Sequence, residues 1–150
     1  MLNDKIKMSG ELQVTLYGPD GLIKTAFLVP NLVVTVGKGV VASRLTGNSV
    51  PVMSHMAVGS SGTAPIAANT ALGSELTLGR SALNVAGGVA SGSEVTFTAS
   101  FGAGAGTGAI TEAGIFNSGT VGTMLCRSTF AAVNKDTGDT LSINWKLTVA

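Results

Sequence analysis

The sequence contains few charged residues. Only 11% of its 150 residues are Asp, Glu, Lys or Arg, whereas roughly 25% is usual for a soluble domain. The formal net charge is +1, and no run of Lys or Arg stands out. Because binding to nucleic-acid phosphates depends on clustered basic residues, we expect no nucleic-acid partner.

Residues that carry catalysis or bind metals are also scarce. Cys126 and His55 are the sole members of their kinds, which excludes an internal disulfide and a zinc-type cluster. No Gly-x-Ser-x-Gly motif surrounds a serine, and the acidic residues are scattered singly. A lone His needs a nucleophile and an orienting group to act as a base. We therefore predict no enzyme activity, no cofactor, no metal and no small-molecule substrate, and we assign no catalytic or binding residues.

Long apolar runs are missing as well. The segment MLNDKIKMSGEL lacks the apolar core of a signal peptide, and no stretch approaches the roughly 20 apolar residues of a membrane span. We expect neither secretion nor membrane contact. The lone Cys126 is compatible with a reducing cytosol.

Small residues take the place of charge. The chain has 21 glycines, about twice the usual frequency, and such residues suit tight turns and close contacts between chains. A net charge near zero favours association. These features predict a subunit of an assembly, with a homo-oligomer (dimer or trimer) as its form.

Alternating apolar and polar residues predict β-strands along most of the chain. The clearest case is the last segment, whose apolar residues share one face and form the best core prediction: Leu141, Ile143, Trp145, Leu147 and Val149. Strands are predicted at 11–17, 22–29, 52–58, 80–86, 94–101, 110–117, 123–133 and 140–149. Turn-forming residues at 18–21 and 134–139 separate neighbouring strands.

One segment has helical spacing instead. In residues 32–45 the apolar positions recur every three to four residues, with Thr35 as the predicted N-cap and Gly47 as the stop. Residues 59–70 predict a long exposed loop, and the Gly/Ala stretch 102–109 predicts a mobile loop or a flat contact strip.

Three acidic residues are predicted to stabilise the fold rather than to bind a ligand. Glu112 is the one acid inside a predicted strand, and we expect it to pair with Arg127 or Arg80 rather than to contact a partner. Asp136 and Asp139 favour a turn with side-chain capping over a calcium site, which needs more ligands.

Together these patterns predict an all-β, mainly antiparallel fold. It is a β-sandwich or jelly-roll-like single domain over residues 1–150, with one short helix and residues 1–10 as an extended N-terminal arm.

Four segments in this order resemble a family of small virion proteins of tailed bacteriophages. They are NLVVTVGKGVVASRL, MAVGSSGTAPIAANTALGSEL, ITEAGIFNSGTVGTMLCRSTF and DTLSINWKLTV, covering most of the chain from residue 31 onward. The resemblance is greatest to capsid cement or decoration proteins. It implies a chain made in the host bacterial cytoplasm that binds the major capsid protein and resides on the capsid surface of the virion.

Two other functions stay open. Related segments also suit a tail or tail-fibre component. A carbohydrate-binding β-sandwich needs an exposed aromatic platform, and the chain has five Phe, one Trp and one Tyr from which to build it.

Overall fold

The computed structural model describes residues 4–150, which form two antiparallel five-stranded sheets and one helix. Sheet A has the strand order β2-β1-β10-β7-β6, and sheet B has the order β3-β9-β8-β4-β5. The strands are β1 (Met8–Tyr17), β2 (Ile23–Pro30), β3 (Leu32–Val33), β4 (His55–Gly59), β5 (Glu75–Ala82), β6 (Val89–Ser91), β7 (Glu94–Phe101), β8 (Gly108–Phe116), β9 (Met124–Lys135) and β10 (Thr140–Val149), and the helix is α1 (Thr35–Leu45). The predicted all-β fold with one short helix is confirmed.

The inner faces of the two sheets pack against each other and form the core. Leu12 of β1 lies opposite Trp145 of β10, which in turn lies opposite Phe97 of β7. Side chains of β4, β8 and β9 complete the same cluster from sheet B. Burial of each large apolar side chain stabilises the fold by about 1.5–3 kcal/mol, so this layer is the main source of stability.

The predicted core stripe of β10 is confirmed at four of its five positions. Leu141, Ile143, Trp145 and Leu147 are buried, whereas Val149 at the end of the strand is exposed. The turn at 18–21 is also confirmed: Gly21 adopts a positive φ of 78° and donates to the Gly18 carbonyl. It joins β1 to β2 as a hairpin.

Helix α1 begins and ends close to the predicted positions. Its N-cap is Val34 rather than Thr35, and no side chain caps it. Thr35 is instead the first helical residue, and its N–H donates to the Ala67 carbonyl at 2.9 Å. Gly47 follows the helix with a positive φ of 73°, as a stop residue does.

Several predicted bounds differ from the structure. The strand predicted at 80–86 lies at Glu75–Ala82, because a bulge opposite Val58 disrupts the alternation that the prediction needs. The short strands β3 and β6 were not predicted, because two or three residues are too few to show an alternating pattern.

The predicted N-terminal arm is shorter than residues 1–10. Met8, Ser9 and Gly10 belong to β1 and pair with the end of β10, and Lys7 pairs with Ala150. Residues 8–10 contain one apolar residue, Met8, which is too few for an alternating pattern that predicts a strand. A strand forms there because the end of β10 pairs with it. Residues 1–3 of the predicted arm lie outside the described residues.

Candidate functional site

The outer faces of the two sheets are built differently. In sheet A, the residues that alternate with the core point away from the sandwich, and within residues 4–150 no other helix or strand packs extensively on them. Most of them are exposed or half-buried, and Thr15 is buried. Cross-strand rows of this outer face are Gln13–Asn144–Thr98, Glu11–Lys146–Thr96 and Thr15–Ser142–Ser100. We refer to these nine residues as the polar face.

Hydroxyl and amide groups dominate the polar face. Lys146 lies 3.7 Å from Glu94, and both side chains are close to half exposed, so this pair contributes at most about 1 kcal/mol. A shallow depression of about 200 Å³ lies at its centre, lined by Glu11, Gln13, Leu28, Thr96, Asn144 and Lys146. Seven of the nine side chains are neutral, with Glu11 and Lys146 as the exceptions. Neutral polar groups lose much less than charges do on leaving water, so most of the face is suited to burial against a partner.

Sheet B has part of its outer face covered by the start of α1 and by a loop, whereas Val40 and Val41 farther along α1 pack on the core between the sheets. Helix α1 packs on β9, and Gly37 permits the close approach because a Cβ there would overlap the Leu125 backbone. A second apolar cluster forms beneath the cover, made of Val34, Ala57, Phe116 and Met124 with Val36 and Leu72 packed against it. The loop from Ser60 to Ser74 contributes Leu72 to that cluster.

A buried carboxylate fixes this loop. Glu112 of β8 accepts hydrogen bonds from the backbone N–H groups of Ser61, Gly73 and Ser74 at 3.2, 2.9 and 2.7 Å. Its carboxylate also pairs with Arg127 of β9, whose Nε and Nη2 lie 2.9 and 2.8 Å from Oε2. Glu112 is 0% exposed and Arg127 is 2% exposed. The prediction that Glu112 forms a structural pair is confirmed, with Arg127 as its partner.

Arg127 extends the network into the middle of the loop. Its Nη1 donates to Asn69 Oδ1 at 3.1 Å, and the same oxygen accepts the Ile66 N–H at 2.9 Å. The loop predicted at 59–70 is thus anchored at several points. Sequence reasoning missed Ser61, Gly73, Ser74 and Asn69, because backbone donors and a loop amide carry no periodic signal.

Arg80 fixes a second loop. Its guanidinium forms a two-pronged pair with Glu75, with both contacts at 2.8 Å, and stacks 4.0 Å from the Phe116 ring centre. Nη1 donates to the carbonyls of Ser118 and Val121 at 3.0 and 2.9 Å. The other predicted candidate partner of Glu112 therefore binds the loop after β8.

The turn at 134–139 is stabilised by its own aspartates. Asp139 Oδ2 accepts the Asp136 N–H at 2.9 Å and the Lys24 ammonium at 2.8 Å. The hydrogen bond from Lys24 lowers the pKa of Asp139, and the same bond raises the pKa of Lys24. The predicted turn with side-chain capping is confirmed, and the cation beside Asp139 is Lys24.

The remaining residues singled out from the sequence have ordinary surroundings. Ser54 Oγ lies 2.8 Å from His55 Nδ1, but no hydrogen bond among residues 4–150 joins His55 to a carboxylate. Cys126 is fully buried, and burial raises the pKa of its thiol well above the usual value. Trp145 is part of the core and offers no exposed ring.

Metal binding, membrane insertion and similarity to known proteins add no site to the geometry of residues 4–150. Within residues 4–150, no three His, Cys, Asp or Glu side chains are grouped to hold a metal ion, and no helix has the length and apolarity to span a membrane. No protein-family model matches the chain, and neither curated proteins nor solved structures show a significant match. Its nine polar residues on a regular sheet, with no other helix or strand of residues 4–150 packed extensively on them, make the polar face of sheet A the candidate functional surface.

Proposed function

We propose that this chain is a capsid cement protein of a tailed bacteriophage, which binds the shell of major capsid protein and stabilises the assembled head. The observation that carries the proposal is the contrast between the partly covered sheet B and the uncovered polar face of sheet A. The resemblance of the sequence segments to phage virion proteins supplies the class of partner.

The polar face suits a permanent contact. Its rows are held by long antiparallel ladders between β1, β10 and β7, so little conformational freedom is lost when a partner binds. Its amides and hydroxyls both donate and accept hydrogen bonds. A stable contact of this kind buries on the order of 2,000 Å².

The mechanism is linkage rather than chemistry. A chain that binds the assembled shell more tightly than its separate subunits shifts the equilibrium toward the assembled form. The anchored loop Ser60–Ser74 and the core beneath it keep the binding body rigid, so the binding energy is not spent on ordering the cement protein.

The first test is the copy number of the chain in purified particles, measured by quantitative mass spectrometry against the major capsid protein. Hundreds of copies per particle support the cement function. A dozen or fewer place the protein in the tail or a fibre, and absence from particles contradicts both functions.

The second test locates the contact. Asn144 is exposed near the middle of the polar face, so Asn144→Lys places an unpaired charge there. We expect binding to heads that lack the protein to weaken about 100-fold, because burying a charged group without a partner costs at least about 2–3 kcal/mol. Thr63→Lys is the control, since Thr63 is exposed on the loop that covers sheet B. Equal binding by both variants would exclude the polar face as the contact.

A carbohydrate-binding function has less support. Four of the seven aromatic side chains are buried, namely Phe97, Phe101, Phe116 and Trp145. Tyr17, Phe27 and Phe130 are only partly exposed, whereas sugar recognition uses exposed rings.

A further inference from the structure

The edges of the two sheets are protected unequally. Natural proteins limit edge-to-edge association by keeping edge strands short or interrupting them with bulges. Of the four edge strands in residues 4–150, β3 has two residues and β6 has three. Strand β5 is longer but carries a bulge between its pairings with Ala57 and Gly59, and Leu78 there has a positive φ of 53°.

Strand β2 carries such protections only at its ends, where Lys24 lies at a register shift and Pro30 lacks an N–H. It runs for eight residues and pairs with β1 in continuous register from Pro30 to Thr25. Within residues 4–150 no strand pairs with its other side. Its outer edge is therefore a regular, unpaired row of backbone groups.

The hydrogen-bond pattern identifies those groups. Just beyond β2, the Asn31 N–H donates to the Gly10 carbonyl at 3.1 Å. Bonding direction alternates along a regular antiparallel strand, so the N–H and C=O groups of Ala26 and Leu28 point away from β1. Lys24 lies where the register with β1 shifts, and the alternation ends there. Pro30 fits the same alternation, since its missing N–H would also lie on the outer edge.

Apolar side chains are concentrated beside this edge. Leu22, Ile23 and Leu28 are exposed to 68%, 61% and 62%. On the inner side, Phe27 is only partly buried and packs on Phe130 of β9, with ring centres 5.6 Å apart. An unprotected edge flanked by apolar residues is a strand-pairing surface.

We infer that β2 is the self-association surface of this protein: two copies pair their β2 strands antiparallel about a two-fold axis and join their A sheets into one continuous sheet. The axis passes beside Ala26, so that Ala26 faces its counterpart and Lys24 faces Leu28 of the partner subunit. In this register the outward N–H and C=O groups of Ala26 bond with those of Ala26 of the partner subunit across the axis. The inference does not depend on the phage function.

Charge favours a second copy as the occupant. The net charge of +1 produces little repulsion between copies. Lys24 is the one charged residue in β2, and its ammonium already binds Asp139. The proposed register places Lys24 against Leu28 rather than against another Lys24, so like charges do not meet at the axis.

The experiment measures the mass of the full chain in solution at micromolar concentrations, by light scattering and sedimentation, for the wild type and three variants. Ala26→Pro removes an N–H that β1 does not use, and Leu28→Lys adds a charge beside the same edge. Leu45→Lys is the matched control, because Leu45 is exposed at the end of α1. Circular dichroism checks that every variant is folded.

We expect dimers for the wild type and for Leu45→Lys, and monomers for Ala26→Pro and Leu28→Lys. Amide hydrogen exchange provides a second readout: the Ala26 N–H exchanges slowly in the dimer and quickly in the Leu28→Lys monomer. A monomeric wild type overturns the inference, as does a dimer that survives both edge variants. If the wild type is monomeric and Ala26→Pro abolishes binding to heads, the edge accepts a strand of the capsid protein instead, which also overturns it.

Discussion

The two sheets of this sandwich share one core but have opposite outer faces. Sheet B is partly covered by α1 and by the loop Ser60–Ser74, which is anchored on a fully buried ion pair. Sheet A leaves most of its alternating hydroxyl and amide side chains exposed or half-buried, and only Thr15 among the nine residues of the polar face is buried. A face whose residues support the fold resists substitution, whereas a face that is free of structural duties can be specialised for a partner. Four measurements test this division between the sheets.

The largest effect is expected at Arg127. Arg127→Met leaves the Glu112 carboxylate buried without its cation, and we expect a loss of about 3–5 kcal/mol in the free energy of unfolding. Lys146→Met removes the cation of the exposed pair on sheet A and should cost less than about 1 kcal/mol. Urea unfolding of both variants measures the contrast, and equal losses would show that the two faces do not differ in structural importance.

Gly37 tests the helix that covers sheet B. A methyl group there would overlap the Leu125 backbone, so Gly37→Ala should lower the free energy of unfolding by about 1–3 kcal/mol. At Gly39 a Cβ meets no atom within 4 Å, and Gly39→Ala should stabilise the helix by up to about 1 kcal/mol. Thermal unfolding gives both values, and stabilisation by both substitutions would mean that α1 does not pack closely on β9.

The turn at 134–139, which connects β9 of sheet B to β10 of sheet A, provides a pH test. The lowered pKa of Asp139 means that the folded state favours the carboxylate. Its contribution to stability is present above the unfolded Asp pKa of about 3.9 and is lost as the pH falls through the lower folded value. Asp139→Asn should therefore flatten the acid limb of a plot of stability against pH. An unchanged acid limb would assign the pH dependence to other groups.

The last prediction concerns the access of a thiol reagent to buried and exposed cysteine side chains, with no change in stability. Cys126 lies buried on β9, and burial raises the pKa of its thiol, so a maleimide reagent should leave it unmodified until the protein unfolds. In an Asn144→Cys variant the new thiol lies on the polar face and should react at once. Mass spectrometry counts the added groups, and rapid double labelling of the folded variant would show that the core around Cys126 of sheet B is accessible.

Sequence patterns predicted the parts of the fold that alternate regularly. The stripe of β10, the hairpin turn at Gly18–Gly21 and the segment of α1 all follow from spacing and turn chemistry. Strand β5 was misplaced because a bulge cancels the period of two. The pairing of Glu112 was predicted from its position in a strand, whereas its three backbone donors were not, because they lie in a loop that folds back on it. The polar face was present in the predicted alternation, but only the structure shows that no element of residues 4–150 covers it.

The ladder between β1 and β10 also shapes how the chain reaches this structure. It pairs Met8 with Val149 and continues without a break to Tyr17 and Thr140, so the centre of sheet A joins segments far apart in sequence. Hairpins such as β8 with β9 need only a short loop to close and can form early, whereas β1 must wait until β10 has been synthesised. Folds dominated by such distant pairings reach the native state in roughly milliseconds to seconds. During that wait both edges of the β1–β2 hairpin are unpaired, and the nascent chain is most exposed to aggregation then.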